Sequence, residues 1–335
     1  MYHVVLIGCG HMGAVHLDDI YMMKDVCIYG VVDKEIGRAK EFAKKYGAKS
    51  FATSYKQYLE DEKTDIIICA TYPDTHLEIL KQCVKYNKHL LCEKPIASNA
   101  EDAKEFLDIV KSAKIKVQIG YILRFNETYQ TVAKMIQNGA IGSPVVIRMN
   151  QNHHVMDWRK YKALLRNSSP IVDCGIHYID VCRWFTGCDI VDTNGIAAKI
   201  GTEVPDNSYN YGMMTMKLSD GSVAYYEAGW GNTMASDNLK EFIGPYGRIR
   251  ITERERRVSC QEEGDLIEYY RYPDREYKTI NVDCKRRPTG AQLAHLIQMI
   301  EGNAEAVPTI DEVYTGLLIA IKTDQVLREN YITQE

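Results

Sequence analysis

No Cys-x-x-Cys pair occurs among the ten cysteines of this 335-residue chain. The spacing expected of structural zinc sites and thioredoxin-like motifs is therefore missing. Cys9, Cys27, Cys69 and Cys92 fall in or beside apolar runs, and Cys83 and Cys182 lie in helical patterns. They read as small core residues in a reducing compartment. A long basic block is also missing. The net charge is −4, and the most basic run, Arg254-Glu255-Arg256-Arg257, is diluted by acid and reads as a solvated strand or turn. Nucleic acid and anionic membrane are thus not expected partners. No apolar stretch is long enough to span a membrane. Met1 leads straight into a strand pattern without a basic and apolar leader, so the cytoplasm is the expected location. Internal repeats and low-complexity segments are lacking too. What remains is an ordinary globular composition, 45% apolar and 26% charged, with length enough for two domains.

The first 120 residues alternate between two patterns. Short apolar runs stand at Val4–Ile7, Cys27–Val32, Ile66–Ala70, His89–Cys92 and Val117–Ile119, with a weaker strand at Lys49–Ala52. Amphipathic stretches such as Ile36–Tyr46, Thr75–Tyr86 and Asn99–Ala113 lie between them. Near-continuous strand hydrophobicity means burial on both faces, hence a parallel sheet covered by helices. Past residue 121 the rhythm changes. Helices are expected at Asn126–Asn138 and Asp173–Phe185, and a strand at Ser143–His153. Strands and turns then follow from Ile190 to about Val282, before two closing helices at Gly290–Ile300 and Asp311–Asn330. Runs of strands suggest a mostly antiparallel sheet. The expected fold is α/β: a doubly wound parallel sheet over 1–121, then an α+β domain with a large, mostly antiparallel open sheet over 122–335.

Chemistry-bearing motifs fall on this frame. Gly8-Cys9-Gly10-His11-Met12-Gly13 follows the first strand and opens a helix, and Asp33 ends the second strand twenty positions after Gly13. That context is what the dinucleotide-binding fingerprint requires. Gly8 permits the tight turn, Gly10 admits a pyrophosphate, and Gly13 lets helix and strand pack closely. The diphosphate would sit on the helix N-terminus. Asp33 would bind both ribose hydroxyls, which favours NAD over NADP, while the Lys34 charge argues the other way. In Cys92-Glu93-Lys94-Pro95, at the end of the fifth strand, Lys94 is placed to polarise a substrate oxygen beside a nicotinamide. In the loop Ala70-Thr71-Tyr72-Pro73-Asp74-Thr75-His76, Thr71 and His76 are cofactor-contact candidates, and helix capping by Thr75 or Asp74 accounts for the loop equally well.

In the second half, Asp173, His177 and Asp180 are spaced i, i+4, i+7 and so share one helix face. A neutral His177 can take a hydroxyl proton, and Asp173 can orient it or bind a substrate hydroxyl. Metal is not expected, since no further His or Cys stands at ligand spacing. His153-His154 and Trp158-Arg159 precede this helix. Trp158 could stack on a sugar face and Arg159 could bind hydroxyls or carboxylates; a structural role fits them as well.

These motifs, with Gly120-Tyr121 and Arg124-Phe125-Asn126, resemble the glucose–fructose oxidoreductase/inositol dehydrogenase (Gfo/Idh/MocA) family along essentially the whole chain. One departure is Tyr72-Pro73, where the family loop usually reads Pro-Asn. The resemblance implies a Rossmann domain and a C-terminal α/β domain with a large open sheet. It implies that Lys94, Asp173 and His177 line the substrate site, with Tyr121 and Arg124 as further candidates and Glu93 on the cofactor side. The expectation is an NAD(P)-dependent oxidoreductase moving a hydride between nicotinamide and a sugar, polyol or cyclic alcohol, with Lys94 and His177 meeting across an interdomain cleft. The rivals are a cofactor-recycling epimerase or eliminase and a non-catalytic dinucleotide-binding regulator. The chain is expected to form a homodimer or homotetramer through the C-terminal sheet, whose strands lack strong charge on either face.

Overall fold

The computed structural model describes residues 1–155, 158–165, 168–201, 203–206, 208–253 and 264–332, without the side chains of 158–160, 163, 331 and 332. The Arg254–Arg257 run lies outside the described residues.

The first half alternates strand and helix as β1 (Tyr2–Ile7), α1 (His11–Ile20), β2 (Val26–Val32), α2 (Ile36–Tyr46), β3 (Ser50–Ala52), α3 (Lys56–Glu60), β4 (Ile66–Cys69), α4 (His76–Lys85), β5 (His89–Cys92), α5 (Ala100–Ser112) and β6 (Val117–Ile119). Short 3-10 turns stand at Pro73–Thr75 and Ile122–Phe125. The six strands form one parallel sheet in the order β3-β2-β1-β4-β5-β6. Every residue of β4 is buried, as its Ile-Ile-Ile-Cys sequence demands of a strand covered on both faces. The carboxyl ends of β1, β4 and β5 are level: Ile7 pairs with Cys69, and Cys69 with Cys92. The residues that follow them emerge together.

The second half runs α6 (Glu127–Gln137), β7 (Val146–His154), α7 (Trp158–Leu165), α8 (Pro170–Asp173), α9 (Gly175–Thr186), β8 (Ile190–Ala198), β9 (Tyr211–Leu218), β10 (Val223–Gly231), β11 (Lys240–Gly244), β12 (Gly247–Thr252), β13 (Asp265–Arg271), β14 (Glu276–Val282), α10 (Thr289–Ile300) and α11 (Ile310–Ile332). Its strands form one eight-stranded sheet, β14-β13-β12-β11-β7-β10-β9-β8. All neighbours are antiparallel except β7 and β10. The expected fold class is the observed one.

Compact packing divides the chain into Met1–Phe125 with Arg287–Tyr314, and Asn126–Arg286 with Thr315–Glu335. Leu293, Leu296 and Met299 of α10 join Val4, Leu6, Leu17, Val31, Ile66 and Leu91 in the first unit's core. The Thr289 hydroxyl donates to the Val15 carbonyl, and the Gly290 N–H to Asp19. In the second unit α8 and α9 lie against β9 and β10. On β9 the buried face carries Met214, Met216 and Leu218, while Thr215 and Lys217 are exposed.

The single helix expected over Asp173–Phe185 is instead two helices. The chain turns at Cys174, so Asp173 closes α8 and His177 lies in the first turn of α9. Ser169 caps α8 by accepting the Val172 N–H, and Pro170 starts it. This short helix had no periodicity long enough to announce it.

Candidate active site

In the first unit, the Gly8 to Gly13 loop is shaped by close backbone approach. Gly8 has φ +99°, and a Cβ there would lie 2.5 Å from the Ala70 carbonyl oxygen. A Cβ on Gly13 would lie 2.1 Å from the Gly8 carbonyl oxygen. Gly10 differs, because among the described residues no atom beyond its chain neighbours lies within 4 Å of the position its Cβ would take. The space at Gly10 is therefore open to a ligand, as close approach of a pyrophosphate needs. His11 and Met12 start α1, and the His11 Nε2 meets Arg287 Nη1 at 2.5 Å, which brings a cation to the helix N-terminus.

Asp33 is held where the fingerprint needs a carboxylate. Its Oδ2 accepts the Cys9 N–H at 3.0 Å, and its Oδ1 accepts the Glu35 N–H at 2.9 Å. Cys9 contributes backbone; its buried side chain has a thiol pushed up to about 12, chiefly by burial and also by Asp33. Lys34 is exposed. The cation beside Asp33 is Arg38, 3.6 Å away and also paired with Glu35. It lies five residues on, through the first turn of α2, and was not singled out from the sequence.

At the β5 end, Glu93 and Lys94 have different settings. Glu93 is buried, its Oε1 is 2.8 Å from His16 Nε2, and its Oε2 accepts the Lys94 N–H at 3.3 Å. Gly120 packs on the same carboxylate: a Cβ there would lie 3.0 Å from Glu93 Oε2. Glu93 thus acts on the chain that carries Lys94. His16, the partner that holds it, is 77 residues away, a separation no local pattern reveals. The Thr71 hydroxyl lies 2.6 Å from that of Thr75, and His76 is wholly buried against backbone carbonyls.

Two expected substrate contacts also have structural settings. Tyr121 is 1% exposed. Arg124 is buried and pairs with Glu312 at 3.1 Å, tying the Ile122–Phe125 turn to the start of α11. Burial raises the Glu312 carboxyl, but the Thr309 N–H and Arg124 outweigh it and leave it below its ordinary value. The side chains of Trp158 and Arg159, at the start of α7, lie outside the described residues.

In the second unit, Asp173 and His177 are half-buried, whereas Asp180 is 3% exposed. The shared face is interrupted: Ile176, Ile179 and Phe185 anchor α9 in the core, and Asp180 goes inward with them. Beside His177, Tyr178 stacks on Tyr226 with centroids 4.4 Å apart. Lys240 lies under this helix, fully buried, with Nζ 4.7 Å from the Tyr178 ring centroid. It donates to the Asn150 carbonyl at 2.7 Å and to the Asn238 side chain. Burial pulls its ammonium down to about 7 against the opposing charges of Glu253 and Asp237. Lysine in an alternating strand reads as an outward residue, so the sequence carried no sign of it.

The donor set thus fits a dinucleotide: an open glycine at the turn, a basic pair at the helix N-terminus, and a fixed carboxylate at the β2 end. The comparisons agree. The family model described as "Oxidoreductase family, NAD-binding Rossmann fold" matches residues 2–121, and the GFO/IDH/MocA C-terminal domain model matches 129–250. The myo-inositol 2-dehydrogenase of Thermotoga maritima is 25% identical over 272 residues, 80% of each chain. The scyllo-inositol 2-dehydrogenase (NAD(+)) of Bacillus subtilis is 24% identical over 73% of this chain and 72% of its own. The crystal structure of a Lactobacillus casei scyllo-inositol dehydrogenase with bound NAD(H) and scyllo-inositol shares the fold at TM-score 0.80, with 20% identity and 98% of each chain covered. The chain belongs to the Gfo/Idh/MocA family of oxidoreductases: it binds NAD on its Rossmann unit and is a dehydrogenase acting on CH–OH groups.

Proposed function

We propose that the substrate is a cyclic polyol of the inositol class, oxidised at one carbinol carbon to the ketone. The observation that carries the reading is the setting of three side chains. Lys94, Asp173 and His177 are each partly exposed, whereas neighbouring polar residues Glu93, His76 and Asp180 are buried. The names of the curated relatives support the substrate class.

Gly8, Gly10 and Gly13 with the start of α1 would hold the diphosphate, and Asp33 the ribose hydroxyls. When bound, NAD accepts the hydride at nicotinamide C4. His177 takes the proton from the reacting hydroxyl as the hydride leaves the same carbon. Lys94 stabilises the negative charge that develops on that oxygen. Asp173 orients His177 or a substrate hydroxyl. The outward face of the large sheet is proposed as the self-association surface: Val146, Val191, Ile196 and Val223 are exposed there, Ile196 at 60%. A cytoplasmic location fits the nine described cysteines, all without disulfides. Among the described residues no helix is long and apolar enough to cross a membrane.

The test is a panel of inositol isomers, sugars and linear polyols with NAD or NADP, followed at the reduced-nicotinamide absorbance band. Turnover of at least one inositol with NAD is expected. Turnover of sugars alone, or a preference for NADP, sinks the reading.

A further inference from the structure

The loop after β4 and the turn after β5 both lie on the ligand side of the parallel sheet, and one buried side chain ties them together. His76, 0% exposed, opens α4. Its Nδ1 is 2.9 Å from the Pro95 carbonyl oxygen, one residue beyond Lys94, and its Nε2 is 3.3 Å from the Thr71 carbonyl oxygen. A carbonyl oxygen only accepts, so a ring nitrogen that bonds one must carry a proton. An imidazole with two N–H groups is a cation.

A buried cation needs a counter-charge. Cys69 ends β4, in register with Cys92 on β5, and both are fully buried. The Cys69 Sγ lies 3.2 Å from the Thr71 hydroxyl. The donor atoms of Cys69, His76 and Cys92 all lie within 4.8 Å of one another. Burial pushes the Cys69 thiol up, but the Cys92 hydrogen bond and the His76 charge hold it well below the usual thiol range. Burial pulls His76 down, but the Cys69 charge, a hydrogen bond with Cys69 and the two carbonyls bring it above its ordinary value. Cys92 is pushed well up, by burial and by Cys69, and so remains a thiol donor. These three side chains have the composition of a thiophilic metal site. Hydrogen bonds to both carbonyls, however, would occupy both ring nitrogens of His76 and leave no lone pair for a metal.

We propose that His76 is a positioning residue for hydride transfer: as an imidazolium paired with a Cys69 thiolate, it fixes the Lys94–Pro95 turn against the Thr71 loop. The proposal rests on the role given to Lys94 above. A neutral imidazole would set one nitrogen lone pair against a carbonyl lone pair, and one of the two loops would lose its tie. The ion pair is net neutral, so it does not oppose the Lys94 charge.

The test combines absorbance with kinetics on the full-length protein. The wild type should show one thiolate equivalent in the far-ultraviolet near neutral pH, lost in Cys69→Ser and in His76→Gln. The His76→Gln protein should bind NAD within several-fold of wild type yet lose turnover, by up to about 100-fold through misplacement of Lys94. Should His76→Gln fail to fold, the nearly isosteric Cys69→Ser carries the kinetic test, with turnover again falling while NAD affinity holds. Three results overturn the proposal: no thiolate band in the wild type, wild-type turnover in the variant tested, or stoichiometric zinc that disappears with Cys69→Ser. The absorbance reading needs no substrate. A wild type inactive on every polyol would overturn the inositol reading while the band still decides the ion pair.

Discussion

The two units hold their chemistry-bearing residues by different means. In the parallel-sheet unit the means are backbone and buried hydrogen bonds at level strand ends. Gly8 and Gly13 touch carbonyl oxygens, the Cys9 N–H holds Asp33, and His16 holds Glu93. In the eight-stranded unit Asp173 and His177 ride on helices laid on a sheet, and the packing of Tyr178, Tyr226 and Lys240 sets their place. Backbone contacts admit almost no replacement, whereas side-chain packing gives gradually. Damage to the glycine turn or the Asp33 contact of the first unit should therefore appear in cofactor binding and folding, and damage to the second unit's α8 and α9 in turnover.

The largest expected effect tests whether one reaction uses both units. Lys94→Ala and His177→Ala should each lose turnover by roughly 10²–10⁴-fold, the range for acid/base assistance and charge stabilisation. NAD affinity should stay within several-fold, because neither residue belongs to the glycine turn or the Asp33 contact. Steady-state kinetics with parallel NAD titration decide it. Near-normal turnover in either variant removes that residue from the chemistry.

A smaller effect separates two glycines three residues apart. Gly13→Ala would place a Cβ against the Gly8 carbonyl and should cost about 1–3 kcal/mol of stability, as overpacking does. Gly10→Ala meets no described atom beyond its chain neighbours, so melting should be unchanged while NAD binding weakens. Thermal melts of both variants with and without NAD test the contrast. A Gly10→Ala protein that binds NAD normally would show that the open space is not where the cofactor lies.

Much of the first unit was legible because its strands are buried on both faces and its turn residues carry fixed conformational demands. Gly8, Gly13 and Asp33 stand where a short-range fingerprint put them, and α5 follows its apolar spacing. The large sheet was legible as a run of strands, but the parallel pairing of β7 with β10 depends on contacts 77 residues apart. The partners that hold the site were the illegible part. His16 to Glu93, Arg124 to Glu312 and Lys240 to Asn150 join residues 77, 188 and 90 positions apart. Nor does local sequence say that Arg287 returns to the first unit beside His11. Asp180 lies on the same unbroken helix as His177 but goes inward with Ile176 and Ile179, a burial that the i, i+4, i+7 spacing does not reveal.

The smallest expected effect concerns Lys240 and asks whether the second unit too contains a contact that is not graded. Its ammonium titrates near 7 in the folded protein against an ordinary 10.5. Between those values the unfolded chain binds more protons, so stability rises with pH across this window. The penalty of burying the charge is fully present below about pH 7 and fades towards 10.5. Lys240→Met removes the titrating group at similar volume, although it leaves the Asn150 carbonyl and the Asn238 side chain without their donor. The informative quantity is therefore the slope. From about pH 7 to about pH 9 the wild type should gain about 1–2 kcal/mol on the variant, a shift of a few degrees in Tm. Shifts in buried tyrosines and cysteines are common to both proteins and cancel in the difference. Parallel slopes would mean that Lys240 stays protonated throughout, held by Glu253 and Asp237. Its hold on Tyr178, and through α9 on His177, would then be fixed across the working pH range, as the hold on Glu93 is fixed by His16.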